Sequence, residues 1–214
     1  MSAMVAVDMK TSNLASLLNA FRHVGADVAV TDDPTTVADA KVILLPGVGA
    51  FERAMNSLKT HGLVDVLRHK ALRERTPFFG ICLGMQLMAQ ESEEHGLHEG
   101  LALLDARVVR LAPTDPACRV PNVGWCDVCR ARGYTLFPPD QPDAAFYFVH
   151  SFHMQCRSKD AIAATIEFSG DDIVVAVEQD NLFGCQFHPE KSQDAGLDLI
   201  HRFVARMRAD GRLN

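Results

Sequence analysis

One cysteine, Cys82, occupies a position from which its thiol could act as a nucleophile. It lies in PFFGICLGMQLM (residues 77–88), an apolar stretch with a glycine two residues before the cysteine and another two residues after it. We interpret this stretch as a strand, a sharp turn and a helix, in which Gly80 and Gly84 relieve crowding because they lack a Cβ atom. The turn would hold the thiol at the carboxyl end of the strand, where ligand crevices form in open α/β folds. The alternative is an inert buried thiol, because cysteine is commonly a core residue.

A thiol nucleophile needs a general base and a group that orients this base. The segment GCQFHPEKS (residues 184–192) offers both in His188 and Glu190. Residues two apart face the same side of an extended segment, so the carboxylate can lie beside the imidazole ring. Pro189 restricts the backbone between them. The alternative is a surface loop in which these residue types occur by chance.

A third segment, LLPGVGAF (residues 44–51), places two glycines between a predicted strand and a predicted helix. Such a loop can point backbone N–H groups at an oxyanion that develops during acyl transfer. It does not complete either of the glycine-rich phosphate motifs, GxGxxG or GxxxxGK[ST], so nucleotide binding is disfavoured. The alternative is an ordinary turn between a strand and a helix.

Apolar runs and helical patterns alternate along the first half of the chain, which is typical of βαβ units in a mostly parallel sheet. The second half instead predicts antiparallel strands joined by turns, and the whole chain, residues 1–214, is expected to form a single domain. Strands are predicted at residues 4–7, 26–30, 41–45, 77–81, 106–111, 145–149, 161–168, 173–178 and 182–186. Helices are predicted from Leu14 to a stop at Gly25, and at residues 50–58, 63–73 and 194–208.

Composition argues against several classes of partner. The 214 residues carry a formal net charge of -6, whereas a nucleic-acid-binding surface usually brings a basic excess. No apolar run is long enough to span a membrane, and the N-terminal apolar stretch ends too early for a secretion signal. Six cysteines without such a signal indicate a reducing compartment, so we expect a cytoplasmic protein. Cys126 and Cys129 form one CxxC without a second ligand pair, so no metal is expected.

The segments PGVGAF, GICLGMQ and FHPEKS, in this order, resemble those of the class I glutamine amidotransferases. This family has a three-layer α/β fold and a Cys-His-Glu triad. The longer segments ILLPGVGAF, FYFVHS and GCQFHPEKSQDAGL are similar to those of one branch, the glutaminase subunits of imidazole glycerol phosphate synthase, over nearly the whole chain. The resemblance implies hydrolysis of glutamine to glutamate and ammonia, without a cofactor.

The resemblance also implies roles for individual residues. Cys82 would attack the side-chain amide of glutamine, His188 would carry the proton and Glu190 would fix the imidazole. The family's oxyanion hole corresponds to the backbone N–H of Leu83 together with one from Val48 or Gly49. The positions that hold substrate glutamine in the family are Gln86, Glu94 and the backbone near Ser151.

In this branch the ammonia passes to a separate (β/α)8-barrel cyclase subunit, which uses it to form imidazole glycerol phosphate in histidine biosynthesis. The resemblance therefore implies a heterodimer, and Asn13, Trp125 and Lys191 match positions on or near its interface. For Trp125 a partly buried core position is an equally open alternative.

Several residues depart from the family pattern near this same face. Lys10, Thr11 and Ser12 stand where glycines are common, and Phe152 replaces the usual tyrosine. Asn122 replaces a histidine, and Cys126 replaces an asparagine. These departures leave open a paralogous glutaminase subunit that supplies ammonia for amination of a surface sugar. A catalytically silent regulatory module on the same fold is a further alternative.

Overall fold

The computed structural model describes residues 3–10, 14–130, 133–138 and 143–214, and its helices and strands belong to those ranges. The helices are α1 (Ala15–His23), α2 (Pro34–Ala38), α3 (Phe51–Thr60), α4 (Leu63–Leu72), α5 (Leu83–Leu87) and α6 (Gln193–Ala209). The strands are β1 (Met4–Val7), β2 (Val28–Thr31), β3 (Val42–Gly47), β4 (Phe78–Cys82), β5 (Glu91–Ser92), β6 (His98–Glu99), β7 (Ala106–Arg110), β8 (Asn122–Asp127), β9 (Cys129–Arg130), β10 (Ala145–His150), β11 (Phe152–Cys156), β12 (Ile162–Phe168), β13 (Asp171–Gln179) and β14 (Leu182–Cys185). Every strand and helix predicted from the sequence is confirmed, with ends that differ by a few residues.

The main sheet has the strand order β2-β1-β3-β4-β14-β13-β11-β7-β5-β6. The pairs from β2 to β14 are parallel, and β13, β11 and β7 continue the sheet with antiparallel pairs. This arrangement confirms the predicted parallel sheet of the first half and the antiparallel additions of the second. Strand β14 is the one strand from the second half that joins the parallel region, beside β4.

Helices cover both faces of the parallel region, which confirms the three-layer architecture. Alternate residues of β1 face opposite sides, so that Met4 and Ala6 pack with helices α1 and α6, while Val5 and Val7 pack with α2 to α5. Because both faces are buried, these strands consist of continuous apolar residues. The sequence KVILL at residues 41–45 has the same character for the same reason.

Some elements were not predicted. Helix α2 begins at Pro34 after Asp33, whose carboxylate accepts hydrogen bonds from the backbone N–H groups of Thr35 and Thr36. This is a regular N-cap, and it could have been recognised from the sequence DDPTT. Strands β8 and β10 form a separate two-stranded antiparallel ribbon, of which only β10 was predicted. After β10 a single residue, Ser151, separates the ribbon from β11 in the main sheet.

Helix α6 is the longest helix in the described ranges, and its start lies against the short 3-10 turn Pro189–Lys191. Its apolar face is buried against the sheet by Leu199, Ile200, Phe203, Val204 and Met207. None of the helices at residues 3–10, 14–130, 133–138 and 143–214 is both long and apolar enough to cross a bilayer. At the N-terminal end of α6, a Cβ atom on Gly196 would lie 1.8 Å from the carbonyl oxygen of Pro189. The helix therefore approaches the turn closely only because residue 196 is glycine.

We expect Gly196→Ala to destabilise the protein by about 3 kcal/mol, because the added methyl group collides with backbone rather than with a movable side chain. The measurement is the free energy of unfolding in urea. Gly211→Ala is the matched control, because Gly211 follows α6 at φ 67° with open space around its Cα. The control should lose only about 1 kcal/mol from backbone strain. Equal losses in the two variants would contradict the close contact.

Candidate active site

Cys82 lies at the junction between β4 and α5, as the sequence predicted. Its backbone has φ 54° and ψ -113°, and its side chain is buried with 7% of its surface exposed. A Cβ atom on Gly84 would lie 1.5 Å from the carbonyl oxygen of Leu45, and one on Gly80 would lie 2.7 Å from the carbonyl oxygen of Gly84. The predicted need for glycine on both sides of the cysteine is confirmed. This strained turn is maintained by close contacts between β3, β4 and α5.

His188 and Glu190 form a hydrogen-bonded pair directly after β14. Nδ1 of His188 lies 2.7 Å from Oε1 of Glu190, and both side chains are largely buried. The carboxylate can only accept, so Nδ1 carries the proton and Nε2 is the nitrogen that can exchange a proton with another group. The backbone is also fixed, because the N–H of His188 donates to the carbonyl of Tyr147 and the Ser192 hydroxyl donates to the carbonyl of His188.

The electrostatic surroundings of His188 favour its protonated form. Burial alone would lower the pKa of His188, but Cys82 and Glu190 outweigh burial and raise this pKa to about 9. Nε2 of His188 is buried without a hydrogen-bond partner among the described residues. An unpaired buried nitrogen is costly in a purely structural side chain, so it is typical of a group that acts on a ligand.

A cavity of about 260 Å³ opens next to the Cys82 thiol. Its walls bring together most of the residues that the sequence singled out, although these come from distant parts of the chain. From that set the cavity is lined by Val48, Gly49, Cys82, Leu83, Gln86, Glu94, Ser151 and His188. Glu190 lies behind His188 and lines a second cavity, of about 170 Å³, together with Lys191.

The loop after β3 lies beside the nucleophile because of the strand register. Gly47 is the partner of Cys82 in the parallel pair of β3 and β4, so residues 48 and 49 emerge next to the thiol. Gly49 has φ 96°, a left-handed conformation that favours glycine. Leu83 is the first residue of α5, where backbone N–H groups have no partner inside the helix. These positions allow N–H groups from both segments to reach the cavity.

Glu94 reaches the cavity wall from the segment between β5 and β6. Its Oε2 accepts a hydrogen bond of 2.7 Å from the backbone N–H of Phe51, the first residue of α3. A carboxylate is favourable at a helix N-terminus, so this contact fixes Glu94 in place. Ser151 occupies the single position between the ribbon and the main sheet, and it also lines the cavity.

Two polar residues inside this site were not predicted from the sequence. Gln186 is fully buried, and its amide lies between the amide of Gln86 and the sulfur of Cys82. His150 is also buried, and Nδ1 of its ring lies 2.9 Å from the carbonyl oxygen of Phe152. Burial lowers the pKa of His150 to about 4, against the opposing effect of this hydrogen bond, so the ring is neutral near pH 7. His150 lies within the segment FYFVHS and Gln186 within GCQFHPEKS, and this was the only available signal.

Two of the departures from the family pattern contact each other. Nδ2 of Asn122 lies 3.2 Å from Nε2 of His150, and the Asn122 amide also lies 3.8 Å from the thiol of Cys126. Phe152 contributes its backbone carbonyl to the site, which does not depend on the missing tyrosine hydroxyl. Lys10 has φ 57° and pairs with Asp8 and Asp32. The predicted interface residue Asn13 and the departures Thr11 and Ser12 lie outside the described residues.

The other cysteines differ from Cys82 in their surroundings. Cys185 is fully buried, its thiol donates to the carbonyl of Phe187, and burial raises its pKa well above the ordinary value. It therefore has the properties of an inert core thiol. Within the described ranges, no cluster of three or more His, Cys, Asp and Glu side chains could hold a metal ion.

Trp125 is half-exposed on the ribbon, with 49% of its surface open to solvent, so the alternative core position for it is not observed. Val123 and Val149 are also exposed, and they are direct cross-strand partners. The ring of Trp125 contacts that of Tyr147, its own cross-strand partner, edge to face. Together Val123, Trp125, Tyr147 and Val149 form an outward apolar face, and Val149 also lines the cavity of Cys82.

Comparisons with known proteins place the chain in a family. The family model described as "Glutamine amidotransferase class-I" matches residues 5–207. The chain is 39% identical over 209 residues to the imidazole glycerol phosphate synthase subunit HisH 2 of Nitrobacter winogradskyi, covering 95% of this chain and 98% of the relative. It is 41% identical over 204 residues to the corresponding HisH subunit of Methanothermobacter thermautotrophicus, again covering 95% and 98%.

Solved structures share the fold at lower sequence identity. A crystal structure of a glutamine amidotransferase superposes with a TM-score of 0.73 at 19% identity, covering 95% of this chain and 99% of its own. The glutaminase domain of Trypanosoma brucei CTPS with bound acivicin superposes with a TM-score of 0.66 at 17% identity, covering 99% and 94%. From the family match and these relatives, the chain belongs to the class I glutamine amidotransferases and, within them, to the family of HisH subunits of imidazole glycerol phosphate synthase.

Proposed function

We propose that the protein hydrolyses glutamine to glutamate and ammonia through a thioester on Cys82, and supplies the ammonia to a synthase partner. The observation that carries this proposal is the arrangement of three groups at one cavity. Cys82 and His188 line it, and Glu190 holds the far side of the His188 ring at 2.7 Å. A nucleophile, a base and an orienting carboxylate in this order are what acyl transfer from an amide requires.

In the proposed reaction, Cys82 passes its thiol proton to Nε2 of His188, and its sulfur attacks the side-chain carbonyl carbon of glutamine while the carbonyl electron pair moves onto oxygen. When the carbonyl re-forms, the carbon–nitrogen bond breaks and His188 donates the proton that allows ammonia to leave. Water then attacks the thioester while His188 accepts a proton from it. The carbon–sulfur bond breaks as His188 returns this proton to the sulfur, which releases glutamate and restores Cys82. Glu190 keeps Nδ1 protonated throughout, so Nε2 performs each transfer.

Both tetrahedral intermediates place negative charge on the former carbonyl oxygen. We assign its stabilisation to the backbone N–H of Leu83 and to one N–H from Val48 or Gly49. These residues line the same cavity as Cys82, which is where an oxyanion hole must lie. Val48 is partly exposed, so its loop is accessible to a bound partner.

Substrate glutamine would bind through Gln86, Glu94 and the backbone near Ser151. Gln86 donates its amide N–H groups to the carbonyl of Phe152 and to Gln186, which leaves its carbonyl oxygen to accept from substrate. The Glu94 carboxylate supplies negative charge for the α-ammonium group, and the opposite wall near Ser151 receives the α-carboxylate. A free amino acid needs both charges matched in a partly enclosed site.

Free ammonia is mostly protonated at neutral pH, so direct transfer to a partner preserves its nucleophilicity. We propose a (β/α)8-barrel cyclase as this partner, forming imidazole glycerol phosphate in histidine biosynthesis, because the relatives are named as subunits of that synthase. The ribbon face with Trp125 is the proposed contact surface, and Lys191 and Asn13 are proposed to lie at the same interface. All six cysteines are free thiols, which suits a cytoplasmic location.

Cys82→Ala should lower glutamate release from glutamine by about 10⁴-fold or more in the complex with the partner, because Cys82 is the one thiol among the described residues that line the cavity. The measurement is glutamate release under saturating glutamine. Cys129→Ala, which removes an exposed thiol outside the cavity, is the control and should retain full turnover. Retention of turnover by Cys82→Ala would refute the mechanism.

Glu190→Gln should lower kcat by about 10²-fold or more and change its pH dependence. Proton donation to the leaving nitrogen of glutamine needs protonated His188, and this form is lost as pH rises through about 9. Loss of the carboxylate charge lowers the pKa of His188, so activity should decline at a lower pH than in the unsubstituted protein. The experiment is kcat measured from pH 6 to 10, with the exposed carboxylate variant Glu99→Gln as control. If kcat of Glu190→Gln declined at the same alkaline pH as kcat of the unsubstituted protein, the proposed effect of Glu190 on His188 would be contradicted.

Glutamate release should rise strongly when the histidine-pathway cyclase of the same organism and its nucleotide ligand are added. Trp125→Ala should raise the cyclase concentration needed for half-maximal stimulation about thirtyfold, because exposed tryptophans often dominate binding. Leu72→Ala removes another exposed apolar side chain, at the end of α4, and is the control. Activity that is indifferent to this cyclase would reject it as the partner and favour another acceptor, such as a sugar-aminating synthase.

A further inference from the structure

The amide of Gln186 connects the nucleophile to the interior of the protein. The residue follows β14, two positions before His188, and none of its surface is exposed. Its Nε2 lies 3.7 Å from the Cys82 sulfur, and its Oε1 lies 2.8 Å from Nε2 of Gln86. A buried primary amide this close to a reactive sulfur is not explained by packing, because an apolar side chain would fill the same space without desolvation cost.

The direction of each hydrogen bond follows from the carbonyl of Phe152, which can only accept. Gln86 must therefore direct its Nε2 towards this carbonyl, at 3.0 Å. The second hydrogen on the same nitrogen points at Gln186, which must respond with its carbonyl oxygen. The remaining end of the Gln186 amide, its NH₂ group, then faces the sulfur of Cys82. The direction of this series of hydrogen bonds thus places the N–H donor of Gln186 against the Cys82 sulfur.

His150 fixes the end of this series of hydrogen bonds that lies farthest from Cys82. The neutral ring donates from Nδ1 to the same carbonyl of Phe152, and Nε2 lies 3.2 Å from the amide nitrogen of Asn122. The carbonyl therefore receives two donors and has little freedom to turn away. Each of these buried amides has a hydrogen bond whose direction is fixed by its neighbour, so Gln86 and Gln186 are held in one orientation.

We propose that Gln186 is a further functional residue of this site, whose N–H group donates to the Cys82 sulfur, stabilises the thiolate and orients it towards substrate. Gln86 acts as a positioning residue by fixing the orientation of the Gln186 amide. This proposal builds on the proposed glutamine hydrolysis and extends it beyond the Cys-His-Glu set. A neutral amide stabilises the thiolate without adding a positive charge that would also attract the carboxylate of Glu190.

Other titratable groups surround the sulfur, and they remain in place when Gln186 is replaced. His188, Glu190 and Cys185 approach from the segment after β13, and His150 and Glu94 line the same cavity. Any change in the pH dependence of the Cys82 thiol between the unsubstituted protein and a Gln186 variant therefore reports the amide itself.

The experiment follows alkylation of Cys82 by iodoacetamide from pH 5 to 10 in the absence of glutamine, with quantification of the Cys82 peptide by mass spectrometry. Gln186→Leu should slow alkylation at pH 7 about tenfold and leave the limiting rate at high pH unchanged, since a hydrogen bond to a charged group is lost. Gln86→Leu should shift the profile in the same direction by less. Gln155→Leu, an exposed glutamine variant on β11, should have the profile of the unsubstituted protein.

A Gln186→Leu profile that superimposes on that of the unsubstituted protein, with folding verified by thermal melting, would overturn the proposal. If Gln186→Leu does not fold, Gln86→Leu and Gln186→Asn provide the same test, and unchanged profiles in both would overturn it equally. The alkylation readout needs no glutamine, so a failure of the Gln186 proposal can be distinguished from a failure of the proposed glutamine hydrolysis. A shifted pH profile of alkylation, together with no glutamate release in the complex with the partner, would support the role of Gln186 and reject glutaminase activity.

Discussion

Parallel pairing of β4 with β3 on one side and β14 on the other is the constraint on which the site depends. Gly47 is in register with Cys82, and Cys185 is in register with Ile81. Because all three strands run in the same direction, the residues that follow them emerge at one edge of the sheet. The loop after β3, the turn at Cys82 and the segment from Gln186 to Glu190 therefore meet there. A shift of one strand by a single residue would move its side chains to the other face.

This edge of the sheet concentrates polar groups in an otherwise apolar interior, and nearly all of them have partners. Gln86, Gln186, His150 and Asn122 satisfy one another or the carbonyl of Phe152. The exceptions at this edge are Nε2 of His188 and Oε2 of Glu190, which are buried and without a partner among the described residues. Unpaired groups next to this hydrogen-bonded network match the proposed division between residues that hold the geometry and residues that react.

The sequence predicted the elements that carry strong local signals. Continuous apolar runs located the parallel strands, and the glycines at 80 and 84 located the turn at Cys82. It did not predict that β8 and β10 leave the main sheet as a ribbon, because this pairing depends on contacts between residues 18 to 28 positions apart, from Ala145 with Asp127 to His150 with Asn122. It also missed the bond between Gln86 and Gln186, which are a hundred residues apart. Neither glutamine has a local pattern that distinguishes a buried donor from an exposed one.

The departures at 122 and 126 acquire a physical meaning from the alternation of side chains along β8. Val123 and Trp125 point outward, whereas Asn122 and Cys126 lie on the inner side and contact each other. Replacement of residues on the inner side can therefore change the link between the ribbon and His150 without altering the apolar outer face. Because Asn122 still reaches the ring of His150, the network that ends at Cys82 keeps its anchor on the ribbon. The ribbon thus presents an apolar face to solvent on one side and supports the wall of the cavity on the other.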